Sequence, residues 1–397
     1  MQGWNDPEWF ARTFQVWDEL FDTGAPQPAY VSVFAKGEPV QPIEGMAVVG
    51  SRPGIDAVAL HPELFTAEGV IEMGNVRPLI PISIDGPDHA FYRRTLEPLF
   101  SPSRMDSCIP MLRARMNELI DEVENKGECD YVAAIATPFP STVFLSLLGM
   151  PLDDLPDLLS MKNGIMHPHE HTSDPAEIVR VQSGAAQRIY DYYSRAIEER
   201  TRSPRQDMLT EMMHLDGGGR TLNRDELLDV CFNLMMAGLD TVTGALGCCM
   251  AFVAEHPAHR AQLVDQPEII PDAVEELMRW ETPVNGLFRR AAVDGELLGC
   301  PVKRGDAVNA SLGAANLDPQ EFRDPMVVDF TRKPNRHLAF GKGMHRCLGS
   351  HLARRQLRVA LQEWHRRIPD YELAPGQELK YGSPTRMIHG LQLRWAA

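Results

Sequence analysis

The chain of 397 residues is 44% hydrophobic and 24% charged, and its 39 basic against 55 acidic residues leave a net charge of −16. This is the composition of a globular protein with a large core, and the acidic balance excludes a nucleic-acid binder that meets phosphate with a basic surface. Seven cysteines at irregular spacing, without CxxC pairs, fit a reducing compartment better than a disulfide framework.

The opening stretch MQGWNDPEWFARTF shows neither a basic-then-apolar signal nor an anchor, so a cytoplasmic protein with no membrane span is expected. Tyr30–Val33, Met46–Val49 and Ile55–Ala59 point to a small sheet and helix near the start. From Pro87 to Trp280 helical patterns dominate. The run DGPDHAFYRR reads as a Pro-started helix on which His89 and Arg93, four apart, are neighbours. His167, His169 and His171 in MHPHEHTSDP have an alternate spacing interrupted by Pro168, which suits a surface loop better than a zinc site. GGG at 217–219 reads as a turn between helices.

From Asp225 to Glu255 only Asp229 and Asp240 carry charge between the charged ends, the mark of a helix buried almost all round. Its length would cross a membrane, but Asn233, Asp240, Thr241 and Thr243 fall in the middle, where lipid penalises them. Glu276 and Arg279 are three apart and share a helix face, and Leu297–Ala310 reads as a hairpin.

The segment FGKGMHRCLG, Phe340 to Gly349, sets Cys347 in a glycine-punctuated loop just ahead of a helical run. There the unpaired N–H groups and the positive end of the helix dipole favour a thiolate, which is a nucleophile or a metal ligand. Gly341, Gly343 and Gly349 let a flat ligand lie close to the backbone, Phe340 offers an aromatic wall, and His345 offers an N–H donor. The other six cysteines read as small buried hydrophobes.

This loop, with Ala237-Gly238-Leu239-Asp240-Thr241 in the long helix and the Glu276/Arg279 pair, resembles the cytochrome P-450 family, the haem-thiolate monooxygenases, from about Asp85 to the end. The resemblance implies a mainly α fold with a minor β region, residues 1–397 forming a single haem domain, and haem b between the long helix and the cysteine loop. It assigns Cys347 as the axial metal ligand, with Phe340, Gly341, His345, Gly349, Ala237 and Gly238 around the cofactor. Thr241 is expected to hydrogen-bond dioxygen and Asp240 to relay protons. His89, Arg93, Arg289 and His337 are expected to meet the propionates, with Arg290 an alternative to Arg289 because the doubled arginine leaves the register open by one. Glu276 and Arg279 are assigned to scaffolding.

The second half looks most like soluble bacterial camphor hydroxylase and its relatives. That implies a small to medium apolar substrate, terpenoid or aromatic-like, in a pocket lined by Met73, Val76, Leu79, Met236, Ala237, Val284, Leu287, Met387 and Ile388. Arg77 stands where camphor hydroxylase carries a tyrosine, and either binds a carboxylate on the substrate or points to solvent. No flavin or nicotinamide fingerprint is present, so electrons are expected from an iron–sulfur ferredoxin and its reductase. Lys342, Arg346, Arg354 and Arg355 form a candidate docking face for that ferredoxin. A peroxide-driven peroxygenase and a non-catalytic haem sensor are the alternatives to an O2-dependent monooxygenase.

Overall fold

The computed structural model describes residues 25–70, 77–382 and 385–396. Two compact units emerge, one formed by residues 25–66, 108–137 and 241–396 and the other by 67–107 and 138–240, and the boundary falls inside the helix Arg224–Glu255.

The first unit holds the β structure. Strands Met46–Val49, Ala307–Ser311, Gly286–Ala291 and Phe65–Thr66 lie side by side in that order, the first pair parallel and the rest antiparallel. Met46–Val49 is buried throughout, which is why MAVV does not alternate. Ala47 and Val49 pack with Ile55 and Val58 of the helix Arg52–Ala59 on one face, and Met46 and Val48 pack with Tyr30 and Leu317 on the other. The helix Ser350–Arg367 buries Leu357, Leu361 and Trp364, with Tyr131 set edge-on to the Trp364 ring.

Two expectations change here. Tyr30–Val33 is not a strand but the end of a helix, Gln27–Val33. Proline in its first turn presets the backbone angle, and Tyr30 is 3% exposed, packed so tightly on Gly313 that a Cβ there would lie 2.8 Å from the ring. Local β preference loses to that anchor. The hairpin is also shorter than expected: Gly295–Leu297 pairs with Cys300–Val302 across Leu298 and Gly299, both at positive φ. Ala307–Ser311 belongs to the larger sheet.

The second unit is helical. Leu155–Met166 crosses Pro175–Arg202 at a close approach, where a Cβ on Gly164 would come within 2.8 Å of Ala185. Asp174 caps the second of these by accepting from Ala176 and Glu177. The 217–219 turn forms as expected, with Asp216 accepting from Gly218 and Gly219, both at positive φ. The long helix Arg224–Glu255 has the length and hydropathy of a membrane span, yet 83% of its apolar window is buried within the protein, so it is read as a core helix.

Candidate functional site

Cys347 is exposed, whereas Cys231, Cys248 and Cys249 are buried and Cys108, Cys129 and Cys300 partly so. Burial pushes the thiols of Cys231 and Cys248 far up and that of Cys129 to about 12, so these stay protonated. The Cys347 loop is held by its own backbone: the Cys347 N–H donates to Phe340 O at 2.8 Å and the Gly341 N–H to Leu338 O at 2.7 Å. Gly343 sits at φ 72°, where a Cβ would lie 2.2 Å from Ala59 O, so no larger residue fits. At Gly349, which opens the helix Ser350–Arg367, a Cβ would meet nothing within 4 Å. An exposed thiol beside a helix N-terminus, with open space at Gly349, fits a residue that would hold haem iron.

Behind the loop, the Arg354 guanidinium lies 4.1 Å from the Phe340 ring centre and holds Glu275 through Nε at 2.8 Å and Nη2 at 2.8 Å. His337 Nε2 meets the same carboxylate at 2.9 Å, and its Nδ1 accepts from the Ala339 N–H at 3.2 Å. Burial alone would raise the Glu275 pKa, but His337 and Arg354 outweigh it and bring it down to about 2. Both ring nitrogens of His337 are thus engaged, Nε2 by Glu275 and Nδ1 by the Ala339 N–H.

Strand parity puts the two arginines on opposite faces. Leu287 and Arg289 project from one face of Gly286–Ala291 and Phe288 and Arg290 from the other. Leu287 Cδ2 lies 3.6 Å from a Cβ placed on Gly341, so the face that carries Arg289 is the one turned to the cysteine loop. Arg289 is 7% exposed and donates to Phe288 O at 2.7 Å. Glu276 and Arg279, both fully buried, form a two-pronged pair at 2.8 and 2.9 Å, and Arg332, Asn335 and the Asp329 N–H also bind Glu276. This is a scaffold for the loop leading to Cys347.

In the long helix, Met235, Met236, Leu239 and Val242 are buried, but Ala237 is exposed and Gly238 and Thr241 are half-buried. A Cβ on Gly238 would meet only Phe144, at 3.8 Å. Ala237, Gly238 and Thr241 therefore make an open stripe in the middle of a largely covered helix. Asp240, 1% exposed, turns away from solvent to Lys162 Nζ and to His167 Nε2, the latter at 3.0 Å from Oδ2. Burial would raise its pKa, but the His167 bond and the Lys162 charge prevail and hold it below the usual carboxylate range. This corrects the reading of His167 as part of a surface loop. It ends the helix Leu155–Met166 and points inward.

A cytochrome P450 family model matches residues 81–367, nearly three-quarters of the chain. A probable cytochrome P450 127A1 from Sinorhizobium fredii is 34% identical over 82% of this chain and 76% of its own length. Mycinamicin IV hydroxylase/epoxidase from Micromonospora griseorubida is 34% identical over 79% and 78%. CYP109E1 from Bacillus megaterium, solved with testosterone, superposes with a TM-score of 0.84 at 28% identity over 94% of this chain and 99% of that one. The chain is a cytochrome P450. It has the mainly α fold of that family with its minor β region, takes haem b as cofactor, and is a monooxygenase of the oxidoreductase class.

The remaining expected residues of this P450 are placed as follows. His89 is 2% exposed on the helix Gly86–Leu96, and Arg93, one turn on, binds Glu97 at 2.9 Å. Leu79, Met236, Met387 and Ile388 are buried, and Val284 is 37% exposed and bridged to Thr385. Met73 and Val76 lie outside the described residues. His345 is half-buried beside Cys347. Arg77, its side chain 31% exposed, is held by Asp229 at 2.7 and 3.1 Å and by Asp225 at 3.2 Å. Of the four cations near the loop, Arg354 binds Glu275, Lys342 binds Asp56 and Arg355 binds His351 O, while Arg346 is exposed.

Several residues of the site carried no signal in the sequence reading. Lys162, His167 and Glu275 reach their partners only through tertiary contact. Gly244 and Gly247 could have been noticed, since small residues three apart in a core helix mark a close approach. A Cβ on Gly244 would lie 2.6 Å from Arg386 O and 3.4 Å from Met387, and one on Gly247 would lie 3.9 Å from Ile388. Arg386 is fixed by a buried pair with Glu281 at 2.8 Å.

Proposed function

We propose that this P450, acting as one haem domain over residues 1–397 in the cytoplasm, inserts one oxygen atom from O2 into a small to medium apolar substrate of terpenoid or aromatic type. Electrons come from a separate iron–sulfur ferredoxin and its reductase. The observation that carries the reading is the open stripe of Ala237, Gly238 and Thr241 on a buried helix, with the ionised Asp240 directly before Thr241. Haem b, when bound, supplies the activation of dioxygen. Cys347 would hold it from the loop, Phe340, Gly341, His345 and Gly349 would border it, and His89, Arg93, Arg289 and His337 are the side chains that would meet its propionates. Asp240 holds and passes protons, and the Thr241 hydroxyl hands them toward the oxygen site.

The apolar substrate class is supported by the side chains assigned to its pocket, Leu79, Met236, Val284, Leu287, Met387 and Ile388, none of which carries a polar group. Solved CYP109E1 with testosterone is in keeping with it. The commitment of Arg77 to Asp229 and Asp225 supports a structural role for it and not carboxylate recognition.

The test is Thr241→Ala in the holoenzyme. Product formed per reducing equivalent should fall at least severalfold, with the missing equivalents recovered as hydrogen peroxide, while substrate affinity holds. Unchanged coupling would favour the peroxygenase or sensor alternative. For the ferredoxin, Arg346→Glu should raise the ferredoxin KM severalfold and weaken its salt dependence. A KM equal to wild type would place docking elsewhere.

A further inference from the structure

We infer that His167 is the port through which protons from solvent reach Asp240. The inference rests on the reading of Asp240 as the relay acid. Asp240 at 1% exposure has no direct access to water, and its two oxygens are taken by Lys162 on Oδ1 and His167 on Oδ2. A carboxylate that must be recharged once per turnover therefore needs a neighbour that touches both it and the solvent. Lys162 is nearly enclosed as well, with its side chain 8% exposed. His167 is the wetter of the two at 16%, and only Nε2 is engaged by Asp240, with no bond from Nδ1 among the described residues.

Imidazole is suited to this in a way an ammonium group is not, because it accepts a proton at one nitrogen while releasing one from the other near neutral pH. In the forward step an N–H bond forms at Nδ1 with a proton from solvent, the Nε2–H bond breaks, and an O–H bond forms at Asp240 Oδ2. One proton moves inward and no electrons are transferred. Ring rotation, which turns the new N–H toward Asp240 and the bare nitrogen toward solvent, resets the port.

Local structure keeps the ring in place. His167 caps the helix Leu155–Met166, its N–H donates to Asn163 O at 2.8 Å, and Pro168 follows directly. The charged groups that bear on it are Asp240 and Lys162. His169 and His171 follow in the next turn, and on the helix Pro175–Arg202 Glu177 and Arg180 pair with each other.

His167→Gln preserves a hydrogen-bond donor without a transferable proton, and His167→Lys preserves a cation. Both should slow coupled turnover about tenfold or more and enlarge the solvent deuterium isotope effect, with the substrate dissociation constant and melting temperature near wild type. In the diamagnetic carbon-monoxy protein, the His167 ring-nitrogen resonances should report an Nε2–H hydrogen bond in wild type that is lost in Asp240→Ala, a readout independent of activity. Rescue of turnover by His167→Lys would make the role purely electrostatic and overturn the inference. So would a wild-type isotope effect in His167→Gln, or an Nε2–H signal unmoved by Asp240→Ala. If Asp240→Asn itself left turnover and coupling intact, the relay reading would fail along with the port.

Discussion

Asp240 and Glu275 are carboxylates largely removed from water, and each stays ionised because a histidine and a stronger cation meet it. The chemistry is similar but the consequence differs. Glu275 ties Arg354 and His337 into the wall behind the cysteine loop, whereas Asp240 sits next to Thr241 on the open stripe of the long helix. The same scale separates the paired arginines, since Arg289 shares a strand face with Leu287, which lies next to Gly341 of the loop, and Arg290 does not, so we propose Arg289 as the propionate partner. Arg289→Ala should therefore accelerate haem loss to apomyoglobin about tenfold, the effect of roughly 1.5 kcal/mol from one charge-assisted bond. Arg290→Ala should leave the rate near wild type; the reverse order would invert the assignment.

At the scale of elements, the helix Arg224–Glu255 serves two purposes along one length. Its middle opens at Ala237, Gly238 and Thr241, and one turn later Gly244 lets the backbone of Arg386 close against it. Cys248, a further turn on, lies 3.7 Å from the same Arg386 carbonyl. Because Arg386 is anchored by Glu281 and by its N–H to Pro283 O at 2.8 Å, it cannot easily retreat from a methyl group. Gly244→Ala should cost about 1–3 kcal/mol in denaturant unfolding and shift substrate affinity through Met387 and Ile388. Gly247→Ala, whose nearest neighbour would be Val132 at 3.5 Å, is the tolerated control. Equal stability of the two variants would rule out the close approach as the reason for glycine at 244.

For the whole molecule, the buried His365 and the half-buried Glu275 each contribute to the loss of stability in acid. His365 donates from Nδ1 to Leu361 O and receives Tyr371 OH at Nε2, and burial holds its pKa down to about 4. The unfolded chain takes up that proton below about pH 6.5 and the folded one does not, so stability falls between about 6.5 and 4. Glu275 has the opposite charge type but the same outcome: its contribution is complete above about 4.5 and is lost as pH falls toward about 2. Each limb amounts to roughly 3 kcal/mol. Unfolding free energy measured against pH should show both limbs, with His365→Gln flattening the first and Glu275→Gln the second. A wild-type profile flat between pH 6.5 and 4 would refute the His365 assignment.

The sequence by itself determined the family and its central parts, because these depend on local features. Cys347 in its glycine loop, the sparsely charged helix around Asp240 and Thr241, and the i,i+3 pair of Glu276 and Arg279 are each recognisable within a single turn or helix. Tertiary structure decided whatever depended on partners far along the chain. His167 looked like one of three loop histidines until the fold brought Asp240, 73 residues away, to its ring. Tyr30 looked like strand until Gly313 received it, and Arg77 looked available until Asp229 claimed it. Periodicity reports which face of an element is covered, but not what covers it, and the direction of a buried charge is set by whichever opposite charge the fold delivers.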